Sequence, residues 1–137
     1  MRLLASTALL GVPLVMAGPA SAANINVANE SQLAAAISSA GNGDTITFTS
    51  NITLTGNLPP VMTSVTFIGN NNTLDGNNVA RGLFVYSGTV AIQNLAISAG
   101  AAVGGAGGQG QSGAGGGLGA GGALFIGSAA QVTLSSV

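Results

Sequence analysis

The chain has 137 residues with a formal net charge of -1, 4% charged and 4% aromatic residues, 23 Gly, and neither Cys nor His. Arg2 and Arg81 are its only cations, so it lacks the basic patch needed to neutralise phosphates and no nucleic-acid partner is expected. Without Cys or His, disulfide frameworks and zinc sites are excluded as well. An apolar fraction of 47% beside almost no charge points to an ordered, water-poor interior rather than disorder.

In chain order, Met1-Arg2 is followed by a mostly apolar run from Leu3 to Met16 and then by Gly18-Pro19-Ala20-Ser21-Ala22-Ala23. A basic start, a short apolar run and the small-x-small pair Ala20-x-Ala22 predict a secretory signal peptide over 1–22, cleaved after Ala22. A membrane-spanning helix needs about 20 apolar residues, and Gly11, Pro13 and Gly18 interrupt this shorter run. Residues 23–137 hold no second such stretch, so the mature segment is expected not to span a membrane.

Asn29 is placed to cap a short helix over about 30–40, with Gln32 reaching back to it. Leu33, Ala36, Ile37 and Ala40 fall on one face, and Gly41 or Gly43 supplies a left-handed stop. Alternation of period two follows. Thr45-Ile46-Thr47-Phe48-Thr49 sets two apolar side chains against threonines, and Ile52 with Leu54 continues the pattern. Similar runs recur at Val65-Thr66-Phe67, Val90-Ala91-Ile92 and Val132-Thr133-Leu134, at intervals of 19, 25 and 42 residues.

The longest interval contains the tract 99–122, with 13 glycines in 24 residues, and removing the tract leaves 18. A second echo keeps the same phase: Leu83-Phe84-Val85 precedes the Val90 run as Leu124-Phe125-Ile126 precedes the Val132 run. Units of about 20 residues with several short strands and no helices between them cannot be βαβ crossovers. The expected fold is therefore all-β: the start of a parallel β-helix solenoid whose units stack strand on equivalent strand, with the short N-terminal helix at its end. The competing fold is an antiparallel sandwich. Asn70-Asn71-Asn72 and Asn77-Asn78 mark sharp turns, where Asn tolerates left-handed backbone and stacked Asn side chains can form ladders.

Little of this sequence carries chemistry. Gly105-Ala106-Gly107-Gly108-Gln109-Gly110 and Gly117-Leu118-Gly119-Ala120-Gly121-Gly122 match a dinucleotide fingerprint, but so glycine-rich a tract matches by chance and no helix follows to hold a pyrophosphate. There is no Lys for a Walker loop and no acid in the tract to ligate calcium, so 99–122 is expected to be a loop inserted between two units. A nucleophilic triad lacks its His. Asp44 and Asp75 are candidates for a glycosidase-like carboxylate pair, with Arg81 as polar partner. Against this, both aspartates adjoin turn glycines, and Glu30 sits in the first helical turn, where the dipole favours it. No catalytic, cofactor-binding or metal-binding residue is assigned, and no enzymatic activity is expected of this segment. Asn29, Asn51 and Asn71 each open a glycosylation sequon, of a kind that an Asn- and Thr-rich chain produces freely.

Asn29-Glu30-Ser31-Gln32-Leu33 through Gly43-Asp44-Thr45-Ile46, then Val65-Thr66-Phe67-Ile68-Gly69 leading into Asn72-Thr73-Leu74-Asp75-Gly76, resemble the start of a pectin-lyase-like right-handed β-helix. The resemblance is to bacterial autotransporter passengers and polymorphic outer-membrane adhesins; Gly121-Gly122-Ala123-Leu124-Phe125-Ile126 looks like the glycine-glycine-hydrophobic repeat of the latter. It implies that the helix caps the open end of the coil, and that the chain is the front of a longer protein. It also implies export to the surface of a Gram-negative cell, an adhesive or structural role, and host or cell-surface glycans or proteins as partners. The alternative is a fragment of a secreted carbohydrate-active enzyme of the same fold. An open last unit would also expose strand edges, so self-association is expected.

Overall fold

A computed structural model of the chain describes residues 21–104, 119 and 121–137. The predicted signal peptide over 1–22 lies outside the described residues except for 21 and 22, as does the whole of the first glycine-rich fingerprint and half of the second.

The described residues are mostly β, with one short helix. The elements run β1 Asn24–Val27, α1 Glu30–Ser39, β2 Thr45–Phe48, β3 Ile52–Thr53, β4 Thr66–Asp75, β5 Leu83–Ser98 and β6 Leu124–Ser135. The strands form one sheet in the order β1-β2-β4-β5-β6, with β3 also on β4, and every ladder is parallel. An antiparallel sandwich is thereby excluded. The sheet is open, with β1 and β6 at its edges.

α1 forms where the sequence places it. The Asn29 side chain accepts a bond from the Gln32 backbone N–H at 2.9 Å. Gln32 reaches back one residue further than expected, its Oε1 accepting from the Ala28 N–H at 2.8 Å. The expected glycine stop is not at the helix end: Ala40 is the cap, in extended backbone. Gly43 takes the left-handed conformation, φ 92°, in the turn that follows. Leu33, Ala36 and Ile37 are buried, and the helix packs on β1, closing that end of the core. A ten-residue helix is marginal alone, so this apolar face supplies most of its stability.

The register gives the repeat directly. Ile25, Ile46, Phe67, Ile92 and Leu134 stand in line across five strands, separated by 21, 21, 25 and 42 residues. The sequence spacing aligned Ile46 with Val65 at 19, and the ladder corrects this to Ile46 with Phe67 at 21. Because a two-residue slip preserves side-chain parity, all three residues still face the core. Ile46, Phe67 and Ile92 are fully buried, and each contributes about 1.5–3 kcal/mol by leaving water.

Burial fades toward β6. Leu83, Val85, Val90 and Ile92 of β5 are 0% exposed, whereas Ile126 and Leu134, in register with Val85 and Ile92, are 46% and 51% exposed. The paired short runs expected before and around Val90 merge into the single 16-residue β5, which carries a register shift between Val85 and Ser87. The connector from β5 to β6 runs from 98 to 124, where that from β4 to β5 runs from 75 to 83, so about 18 residues are added there. The ends of the added stretch meet, since a Cβ on Gly100 would lie 2.2 Å from the Gly122 carbonyl oxygen.

The turns use asparagine as predicted in backbone but not in side-chain pairing. Asn70, Asn71, Asn77, Asn78 and Asn94 all have positive φ. Asn ladders were expected, yet Asn70 and Asn72 donate through Nδ2 to the Phe48 carbonyl, at 3.1 and 3.2 Å. The reason is geometric: β4 has more residues between its ladder segments than β5, so successive corners are unequal in length and identical side chains do not stack. Corner side chains instead satisfy backbone groups one repeat away. Ser50 Oγ donates to the Ala28 carbonyl at 2.7 Å, while Asn42, Asn51 and Asn57 accept from the N–H groups of Ser64, Thr73 and Arg81.

Candidate functional site

The carboxylates are taken up by the fold. Asp44 is buried at 9% exposure; one oxygen accepts from the Ala23 N–H and the other from the Gly41 N–H, both at 2.8 Å. These bonds, the one from Ala23 foremost, hold its carboxyl below the usual aspartate range, against the opposing effect of burial. Asp44 thus ties the start of β1 to the turn that ends α1.

Glu30 does more than complement the helix dipole. Its carboxylate accepts from the Thr55 hydroxyl at 2.7 Å and from the backbone N–H groups of Thr55 and Gly56, each at 3.0 Å. The Thr55 hydroxyl is the main cause of a lowered Glu30 pKa, opposed in part by burial and assisted by the two N–H groups. No local signal marks this clasp, because it joins residues 25 and 26 apart through an irregular segment.

Asp75 closes a local turn by accepting from the Asn77 N–H at 2.8 Å, in the last residue of β4. Asp44 lies just before β2, whose first residue pairs with Thr66 at the other end of β4. The two aspartates predicted as a candidate pair therefore stand at opposite ends of one strand and are not brought together. Among the described residues no group of three or more acidic side chains is gathered for a metal ion.

Arg81 is placed differently. It precedes β5, and its Cζ lies 5.5 Å from the Phe84 ring centroid and 5.3 Å from that of Phe125. The two rings, in register on β5 and β6, meet edge to face at 5.1 Å, and Tyr86 adds a second such contact with Phe84 at 6.1 Å. Gly82 permits the close approach, because a Cβ there would stand 2.1 Å from the Ala123 carbonyl oxygen. Beside the guanidinium opens a cavity of about 180 Å³ lined by Asn57, Leu58, Arg81, Gly82 and Phe84. The sequence pointed to Arg81 and to the Phe84/Phe125 echo separately. Asn57 carried no signal, since Gly56-Asn57 before Leu58-Pro59-Pro60 reads only as a turn.

A second cavity, of about 280 Å³, lies between the C-terminal part of α1 and the Pro59-Pro60 segment. Its lining of Ile37, Ser38, Ala40, Pro59, Pro60, Met62 and Thr63 includes no titratable group. Among the described residues, no helix is long and apolar enough to cross a membrane. No protein-family model, no curated protein and no solved structure matches the chain.

Proposed function

We propose that the chain forms a right-handed parallel β-helix that is exported and serves at the cell surface as a structural or adhesin-like module, without catalytic activity of its own. The observation that carries this reading is the repeat. From β1 to β5 each strand along the sheet pairs parallel with the one a unit of 21 to 25 residues earlier, β6 continues the stack on β5 at 41 or 42 residues, and the corner side chains bond across 22 to 24 residues. A chain that advances one strand per unit in one direction stacks its apolar columns as a solenoid does, and terminal units in such arrays need a polar or helical cover. α1 supplies that cover at the β1 end. The residues over 1–22 carry the features of an export signal.

Export is tested by fusing the chain to a phosphatase that becomes active only outside the cytoplasm, with and without residues 1–22. Activity that depends on those residues, together with loss of the fused chain to protease added to intact cells, supports the reading. A reporter that stays cytoplasmic overturns it. The carbohydrate-active alternative needs Asp44 or Asp75 as acid or base, yet both Asp44 oxygens are occupied by backbone donors. Sugar release that disappears in Asp75→Ala would establish that alternative over the structural one.

A further inference from the structure

The cluster around Arg81 is more elaborate than a strand staple requires. Among the described residues Arg81 makes no ion pair, and its Nε is fully covered without an acceptor. Buried donors are normally paired, so an arginine serving only to hold β5 to β6 would be expected to place its N–H groups on nearby carbonyls. Instead the guanidinium rests against the Phe84 and Phe125 rings beside an open cavity. Asn57 lines the same cavity, and the orientation of its amide is settled by a bond: Oδ1 accepts from the Arg81 backbone N–H at 2.9 Å. The Asn57 Nδ2, which carries two donors, has no protein partner among the described residues, while Leu58 and Phe84 supply apolar wall. The polar side chains lining this cavity are thus a charged, planar donor and a neutral amide whose oxygen is already engaged by the Arg81 N–H.

We propose that this cleft is a binding site for a carboxylate carried on a small organic group. A cleft whose uncommitted side-chain NH groups are the Arg81 guanidinium and the Asn57 NH₂ favours a ligand rich in acceptors, and a single guanidinium balances a single negative charge. The planar fork matches the plane of a carboxylate. Phosphate and sulfate sites commonly gather several cations or a nest of backbone N–H groups, whereas Arg81 is the one cation among the described residues. A volume of about 180 Å³ accommodates a group of a few heavy atoms, not an extended chain. The proposal concerns the folded chain alone and stands apart from the export reading.

The test is titration of the ¹⁵N-labelled full chain, followed through the Asn57 side-chain NH₂ and the Arg81 and Gly82 amides, at constant ionic strength. The probes are sodium glucuronate and sodium N-acetylglycinate as two carboxylate sources, glucose as the neutral twin of the first, and sodium sulfate as the tetrahedral anion. Saturable shifts with either carboxylate, with half-saturation on the order of millimolar for so few contacts, are expected, and the two arms tell a sugar acid from a peptide-like one. Arg81→Gln should weaken the response at least tenfold. Should that variant fail to fold, Asn57→Asp serves instead: it keeps the acceptor for the Arg81 N–H but replaces the two donors with an oxygen, and it too should abolish saturation while leaving the melting temperature near wild type. Absence of saturable shifts, an equal response to glucose or sulfate, or full binding by a folded Asn57→Asp variant overturns the proposal.

Discussion

The close contact between β4 and β5 at Gly69 offers the sharpest test of the repeat. A Cβ built on Gly69 would lie 2.2 Å from the Asn94 carbonyl oxygen, 2.4 Å from Leu95 Cα and 2.6 Å from Leu95 Cβ. The carbon contacts are about 1 Å inside ordinary separation, and two of the three atoms are backbone, so no side-chain rotation relieves them. Gly69→Ala must open the β4–β5 ladder between the Ile68–Gln93 and Asn72–Leu95 pairs. Losing two hydrogen bonds at about 1 kcal/mol each, with about 1–3 kcal/mol of overpacking, gives a destabilisation of about 3–5 kcal/mol. For a domain of about 100 residues that lowers the melting temperature by at least about 12 °C. Gly56→Ala is the control: a Cβ there meets nothing within 4 Å and the backbone is not left-handed, so stability should stay level or rise by up to about 1 kcal/mol. Urea and thermal unfolding followed by circular dichroism measure both. A Gly69→Ala variant within about 1 kcal/mol of wild type would refute the register on which the stacked columns depend.

Other outcomes follow from the caps, the carboxylates and the open edge. Asn29→Ala removes the acceptor for the Gln32 N–H and should cost about 1 kcal/mol, visible as a lower urea midpoint with an unchanged slope. Asp44 has a folded pKa below its unfolded value of about 3.9, so its stabilisation is fully present above that value and is lost as pH falls through the folded one; the melting temperature should be level above about pH 5 and drop below about pH 4. Asp44→Asn, which turns one acceptor toward a backbone donor as an NH₂ group, should melt lower at pH 7 and flatten that acid slope. The exposed Ile126 and Leu134 on edge strand β6 should promote association, and Ile126→Lys with Leu134→Lys should shift the chain toward monomer on size exclusion, an expectation that a monomeric wild type would remove.

Local physics was legible in the sequence. The cap at Asn29, the apolar face of α1, the alternation around Ile46 and Phe48, and the left-handed Asn70, Asn71, Asn77 and Asn78 all depend on neighbours within a few residues and stand where expected, whereas Asn72 is not left-handed and Asn94, which is, carried no signal. β1 is not among the expected strands, although its Ile25 and Val27 alternate in the same way. The unit repeat could be read because equivalent strands in a parallel stack carry equivalent apolar residues, and only its first interval was misjudged, by a shift of two that leaves the core face unchanged.

Tertiary structure decided whatever depended on residues a full unit apart. Spacing alone allowed Asp44 and Asp75 to approach each other; the fold puts them at opposite ends of β4 and binds each into its own turn. Nothing local joins Glu30 to Thr55, or Arg81 to Phe125, 44 residues further on. Those contacts arise because parallel stacking returns the chain to the same place once per unit, so that long separations in sequence become one inter-strand spacing in space. The scarcity of charge was plain from composition, but its consequence needed the fold: among the described residues the charged groups are clasped by backbone donors or laid against aromatic rings, and Arg81 lines an open cleft with Asn57.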